Sequence, residues 1–573
     1  MGQTSSQKEI ARFMSCGIGL IIGSSYLKSA SAQIEPLPPE DVRPEQPPVL
    51  PQPDNLDIIP APPVPESVLD VPGTISVKQF EFVGNTVFST AELRSAIAKF
   101  TNKPVSFAQL VQAANQITQL YVSQGYITTG AYIPEQSLQS DTVKIQIVEG
   151  SLADIEIDVA GRLKPGYVES RLTSKISTPL NINRLQSALQ LLQLNPIIES
   201  LDAELSAGIE PGTNILRVSV TSADTFSLQT RLNNNRNLSI GTFERGLQLE
   251  ERNLLGIGDR FDLTYDNTDG SNQYGGGYTL PLNAMDGTLG FDWRWGKNQI
   301  IQSGFEDLDI EIEFRNYDLT WRQPVLQRAD PKVSQELSLS LSAGRRESDS
   351  IIMDEPEALS AGANEGGEIR TSVVSFGQEW LQRNRRQVIL ANSQFNLGVD
   401  AFNATILEDE ADGRFFSWRG QFSYLRSLSQ SSSTFDSTLL IRSQLQLSSD
   451  PLISTEQFSL GGANTVRGYR QDALLTDNGF FAAAELRLPI VEFKQIDATL
   501  KFAPFIDFGT GWNNDETETE FDTLVGTGFG LLLQTPERFS ARIDWGIPLI
   551  NNENNGSSLQ QEGVYLQLEY DLF

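Results

Sequence analysis

From Phe226 to Phe573 the chain runs in segments of about ten residues in which apolar and polar side chains alternate, separated by Asn, Asp, Gly and Ser. Successive side chains of an extended strand point to opposite faces, so this period of two marks strands with one apolar and one polar face. Phe261–Tyr265, Thr288–Trp295, Phe395–Val399 and Thr438–Leu447 are examples. Beyond Leu27 there is no uninterrupted apolar run of about eighteen residues, which excludes a membrane-crossing helix and leaves a closed barrel as the only way across a bilayer. Segmentation gives about sixteen strands, an even count as in single-chain bacterial barrels. A soluble β-sandwich is the competing reading of the same alternation.

The amino terminus directs the chain out of the cytoplasm. Lys8 and Arg12 precede an apolar run from Phe13 to Leu27, and Ala30-Ser31-Ala32 offers an A-x-A cleavage site, so residues 1–32 read as a signal peptide. Cys16, the single cysteine, falls inside it, which leaves the mature chain without a disulfide; Phe13-Met14-Ser15-Cys16 also admits a lipoprotein reading. The 73 acidic residues against 43 basic ones give a net charge of −30 and argue against nucleic acid as a partner. Histidine is absent, which removes the usual general base, the commonest metal ligand and every Ser-His-Asp arrangement. No phosphate-binding G-x-x-x-x-G-K-[ST] occurs either. A chain so depleted is expected to be no enzyme and to need no cofactor or metal.

Between residues 33 and 72 thirteen of the chain's 28 prolines fall, with Asp54–Ile59 among the longest intervals free of them. Proline removes a backbone donor and clashes with the preceding turn, so no helix forms and an extended linker is expected. Residues 73–149 and 150–221 then repeat one order of elements, β-α-α-β-β, and such repetition outweighs any single motif. In the first copy a strand Ile75–Phe82 precedes a helix capped by Ser89 and Glu92, a second helix carries Leu110, Ala114, Ile117 and Tyr121, and strands Thr128–Ile133 and Thr142–Val148 close the unit. In the second, a strand Ile155–Val159 precedes helices Gly166–Ile176 and Arg184–Leu194 and strands Asp202–Ala207 and Ile215–Thr221.

Phe458–Pro489 sets an Arg in a Gly-flanked loop before an alternating strand: Val466-Arg467-Gly468-Tyr469 reads VRGY, and Phe505-Ile506-Asp507-Phe508-Gly509 further on reads F-x-D-x-G. With Ile147-Val148-Glu149-Gly150, Leu194-Asn195-Pro196 and Pro211-Gly212 in the repeats, the chain resembles the two-partner secretion transporters of the outer membrane, relatives of the barrel-assembly proteins. The resemblance implies α+β POTRA domains at 73–149 and 150–221, in the periplasm, followed by a transmembrane antiparallel β-barrel at 222–573 with a loop, 461–478, folded inward. It implies a transporter that captures an unfolded secreted exoprotein and passes it through the barrel, with outer-membrane lipid around it and the barrel-assembly machinery as its partner during biogenesis. An insertase of outer-membrane proteins shares the loop motif and is the alternative; a passive porin or adhesin would need neither the POTRA pair nor the loop.

Strand parity gives the motif residues their sides. Asp507 shares a face with Phe505 and Gly509, opposite Ile506 and Phe508, and so points into the lumen; Glu485 and Arg487 likewise lie opposite Ala484, Leu486 and Leu488. The resemblance implies that Arg467 holds Asp507 as a latch, with Val466, Gly468 and Tyr469 shaping the loop and Glu485, Arg487, Phe505 and Gly509 supporting it from the wall. The carboxyl end is awkward: Val564, Leu566, Leu568, Tyr570 and Leu572 form the apolar face, which puts Phe573 on the polar parity unless a bulge intervenes or Leu572 takes its place.

Overall fold

The protein is described by a computed structural model. It describes residues 56–58 and 74–573, apart from 137–140, 331, 408–409, 429–435, 515–521, 536–537 and 551–557. The expected signal peptide and most of the proline-rich stretch lie outside the described residues. The rest divides into two compact units, Leu50–Asp224 with Arg328–Lys332, and Thr225–Gln327 with Val333–Phe573.

The amino-terminal unit contains strands β1 (Leu56–Ile58), β2 (Thr74–Val77), β3 (Gln79–Val83), β4 (Lys103–Ser106), β5 (Gly130–Tyr132), β6 (Thr142–Val148), β7 (Ser151–Ala160), β8 (Ile198–Ala207) and β9 (Thr213–Ser222). Its helices are α1 (Thr90–Ala96), α2 (Phe107–Ser123), α3 (Pro165–Lys175) and α4 (Ile182–Gln193). Ser89 and Glu92 cap α1 reciprocally, Ser106 and Gln109 do the same for α2, and the Asn181 side chain caps α4, so orphan amides at these helix starts are satisfied by local side chains. Each copy packs its helices on a small sheet: Leu110, Ala114, Ile117 and Tyr121 of α2 meet Val143, Ile145 and Ile147 of β6 in one core, and Leu185, Leu189 and Leu192 of α4 meet Leu216, Val218 and Val220 of β9 in the other. Glu149 accepts from the backbone amides of Thr86 and Val87 at 2.7 and 3.0 Å, from the Tyr121 hydroxyl at 2.7 Å and from the Thr86 hydroxyl.

Two expectations fail here. The single strand Ile75–Phe82 is two strands in two sheets: β2 pairs antiparallel with β4, while β3 runs parallel to β6. The switch falls at Lys78, whose amide donates to the Asp141 carbonyl, so one alternating run conceals a change of partner. The linker, expected to be a spacer throughout, contributes β1, which adds parallel to β8 with Leu56 opposite Ala203 and Ile58 opposite Leu205. It falls within the proline-free interval Asp54–Ile59, the kind of stretch where every residue keeps its donor.

In the second unit sixteen strands close into an antiparallel barrel, with Glu355–Pro356 as an extra short pairing at one hairpin. The first strand, Phe226–Asn233, pairs with the last, Val564–Asp571, through Gln229↔Asp571 to Asn233↔Gln567. Side chains alternate as the sequence implies: on Ala498–Trp512, Ile506 and Phe508 are exposed outward and Phe505, Asp507 and Gly509 are buried on the other face. The last strand ends at Asp571 with no bulge in its pairing to Phe539–Pro548, so strand parity no longer governs Phe573, whose ring lies 6.1 Å from that of Phe226.

Candidate functional site: the loop tip against the barrel wall

Between the strands Thr438–Ser448 and Asn478–Phe493 the chain makes a long excursion that contains a short ribbon, Phe458–Leu460 paired with Leu474–Thr476. Its tip, Val466-Arg467-Gly468-Tyr469, lies against the inner faces of the strands Ala498–Trp512, Thr523–Gln534 and Phe539–Pro548. Leu460, Val466 and Tyr469 are fully buried and pack with Phe481 and Leu524 of the wall. Apolar packing thus removes the loop's polar centre from water.

That centre is Arg467, 1% exposed. Its Nε and Nη2 donate to the two oxygens of Asp507 at 2.7 and 2.9 Å, a bidentate pair, and its own backbone amide adds a third bond at 3.1 Å. Nη1 donates to Glu485 at 2.7 Å, and the guanidinium carbon sits 3.3 Å from the centre of the Phe505 ring. A planar, delocalised cation suits this place, because it can fork onto a carboxylate and stack on an aromatic face at once. Glu485 also accepts from Arg487 at 2.8 Å and from Arg542 at 2.6 Å, and Arg542 binds Asp544 at 2.7 Å. Three cations therefore share the Glu485 carboxylate, while among the described residues Asp507 takes its ion pair from Arg467 alone.

The close approach depends on residues without side chains. Gly468 has φ +103°, and a Cβ there would lie 2.8 Å from the Pro548 nitrogen. From the wall side, a Cβ on Gly526 would lie 1.9 Å from the Arg467 carbonyl oxygen and one on Gly546 2.4 Å from the Gly468 nitrogen. Gly509 faces Leu460 and Val466 in the same way. Hydroxyls complete the seat: that of Tyr565 accepts from the Gly468 amide at 2.9 Å and donates to the Tyr469 carbonyl at 2.5 Å. The Tyr469 hydroxyl lies 3.0 and 2.9 Å from the carbonyls of Val525 and Ile550.

All nine residues singled out from the sequence, Val466, Arg467, Gly468, Tyr469, Asp507, Glu485, Arg487, Phe505 and Gly509, meet at this one place. Sequence reasoning missed Gly526, Gly546, Tyr565, Arg542 and Asp544. Their lumen-facing parity was readable, but nothing local says which lumen-facing residues a distant loop will touch.

Comparison with known proteins agrees with this architecture. Residues 212–533 match the family described as haemolysin secretion/activation protein ShlB/FhaC/HecB, and residues 75–150 match the ShlB-type POTRA domain. The chain is 22% identical over 517 residues to the heme/hemopexin transporter protein HuxB of Haemophilus influenzae, covering 82% of this chain and 83% of that protein. Among solved structures, CdiB from Escherichia coli superposes with a TM-score of 0.68 at 19% identity, over 90% of this chain and 94% of that one. BamA from Haemophilus ducreyi lacking POTRA domains 1–3 superposes at 0.51 and 14% identity, over 87% and 100%. With more than half its length in the family match, this chain belongs to the ShlB/FhaC/HecB family: outer-membrane β-barrel transporters with periplasmic POTRA domains, and not enzymes.

Proposed function

We propose that this protein passes an unfolded exoprotein from the periplasm through its barrel to the cell surface, and that the Arg467–Asp507 contact is the latch that holds the loop in the resting barrel. The observation that carries the reading is a loop tip held mainly by side-chain bonds and glycine-enabled contact rather than by strand pairing. Such a tip can leave the wall without breaking the barrel's own ladder, which is closed independently of it. The first POTRA copy ends its sheet in β5, three residues long, and an extended client could add there by main-chain hydrogen bonds with little demand on sequence. With no nucleotide site in the sequence, net movement would be driven by folding or capture outside.

The test is export of an exoprotein with its own signal peptide, sought in the neighbouring reading frame, in cells making either the full transporter or one lacking residues 73–221. Loss of export with normal barrel insertion supports the reading. If export is unchanged but other outer-membrane proteins fail to assemble, the chain is an insertase instead.

A further inference from the structure

The strand Thr438–Ser448 carries a guanidinium that the latch does not use. Arg442 makes no hydrogen bond or ion pair among the described residues; its guanidinium carbon lies over the Phe481 ring, 5.8 Å from the ring centre. Arg442 is partly buried and stands beside a fully buried ionic cluster, where charges are ordinarily matched. Its position in the register supplies a reason. Arg442 is the pairing partner of Ala483, and Ala483 is the pairing partner of Asp507. The three residues form one row across three adjacent strands, all on the lumen side. Strands lie roughly 4.8 Å apart, so Arg442 and Asp507 are about 10 Å apart at their backbones, a gap that the two side chains together can bridge across the single methyl of Ala483.

The charges around the loop tip point the same way. A cavity of about 110 Å³ beneath it is lined by Arg442, Arg467, Arg487, Arg542, Glu485 and Asp544. With Asp507 counted, four cations face three anions while the loop is seated. Once Arg467 leaves, the wall itself holds three of each. Glu485 keeps Arg487 and Arg542 and Asp544 keeps Arg542, so of these six charges, among the described residues, Asp507 is the anion left bare and Arg442 the cation without an ion pair. On the far side of Asp507 the row continues with Gly526, which offers no side chain.

We propose that Arg442 is the stand-by counter-ion of Asp507: when the loop tip withdraws, Arg442 reaches over Ala483 and takes the carboxylate that Arg467 releases. Resting and released states would then both have a matched wall, and the latch becomes an exchange of one Arg for another rather than the exposure of a bare charge. The inference rests on the latch reading above.

The test is a pair of double-mutant cycles on the full-length protein purified in detergent, read as the unfolding rate of the barrel. Arg442→Gln, Asp507→Asn and both together are made once with Arg467 present and once in an Arg467→Gln background. Coupling between positions 442 and 507 should be absent with Arg467 present and reach about tenfold in rate in the Arg467→Gln background. Equal coupling in both backgrounds, or none in either, overturns the proposal. Arg442→Gln alone is expected to fold normally because it removes no bond. A structure of the Arg467→Gln protein gives a second measurement: Arg442 in ion-pair contact with Asp507 supports the exchange, and Arg442 still beside Phe481 overturns it. A separate cycle between Arg467 and Asp507 tests the latch itself, so loss of that coupling is distinguishable from failure of the exchange.

Discussion

Two ionic clusters on the inner wall of this barrel have nearly the same distances and opposite circumstances. On one side Arg322 bridges Glu336 and Glu379 at 2.7 and 2.8 Å, linking neighbouring strands, with 34%, 26% and 29% of the side chains exposed. On the other Arg467 bridges Asp507 and Glu485, both at 2.7 Å, with 1%, 0% and 4% exposed. In the wet cluster water already solvates each charge, so the pair adds little. In the sealed one, taking away a partner leaves a charge that water cannot reach. Distance alone therefore does not rank these pairs; what covers them does, and the cover at Arg467 is Leu460, Val466 and Tyr469 of the loop itself.

The comparison is broken most directly at its sealed end. Arg467→Ala or Asp507→Ala should each destabilise the seated loop by about 3–5 kcal/mol and impair export, and the double variant should lose clearly less than the sum of the two, because both changes remove the same pair. Denaturant unfolding of the purified protein beside an export assay measures both; additive losses would show two independent residues.

Gly526→Ala asks whether cover matters apart from charge. Its Cβ would meet the Arg467 carbonyl, so the tip should lift, at about 1–3 kcal/mol of overpacking, with every charged group intact. Faster proteolysis of the loop is the readout. Tyr565→Phe should cost about 1–3 kcal/mol, since the Gly468 amide and Tyr469 carbonyl would lose their shared hydroxyl in a buried place.

A carboxylate between the extremes sharpens the scale. Glu149 is half-buried; desolvation raises its pKa, but the hydrogen bonds from Thr86, Tyr121 and Val87 outweigh it and leave the pKa below the ordinary glutamate value. A lowered folded pKa contributes stability that is present above the unfolded value, near 4.5, and is lost as pH falls through the folded one. Thermal melts of the POTRA unit should therefore weaken on the acid side, and Glu149→Gln should flatten that slope. Smallest of all, Arg322→Ala should change barrel stability by less than about 1 kcal/mol and leave export unchanged.

What could be read from the sequence follows the range of the interactions. Strand parity alone put Asp507 and Glu485 in the lumen, because alternation is a property of neighbours in the chain. The meeting of Arg467 with Asp507 came from the motif resemblance, since no period connects residues forty positions apart. Gly526, Gly546 and Tyr565 escaped notice for the same reason: a glycine required by another segment's backbone looks like any strand glycine. The division of Ile75–Phe82 escaped because alternation records which face a residue takes, not which strand it pairs with.

The hydroxyl of Tyr565 belongs to the final strand, and Gln560, just before it, accepts from the Gln471 amide while donating to the Arg236 carbonyl beyond the first strand. The loop is thus fastened to the barrel's final strand and, through Gln560, to the stretch that follows its opening strand. A nascent barrel whose two ends have not met cannot offer this berth. Seating of the loop is then a late event in biogenesis, and its completion reports that the cylinder has been joined end to end.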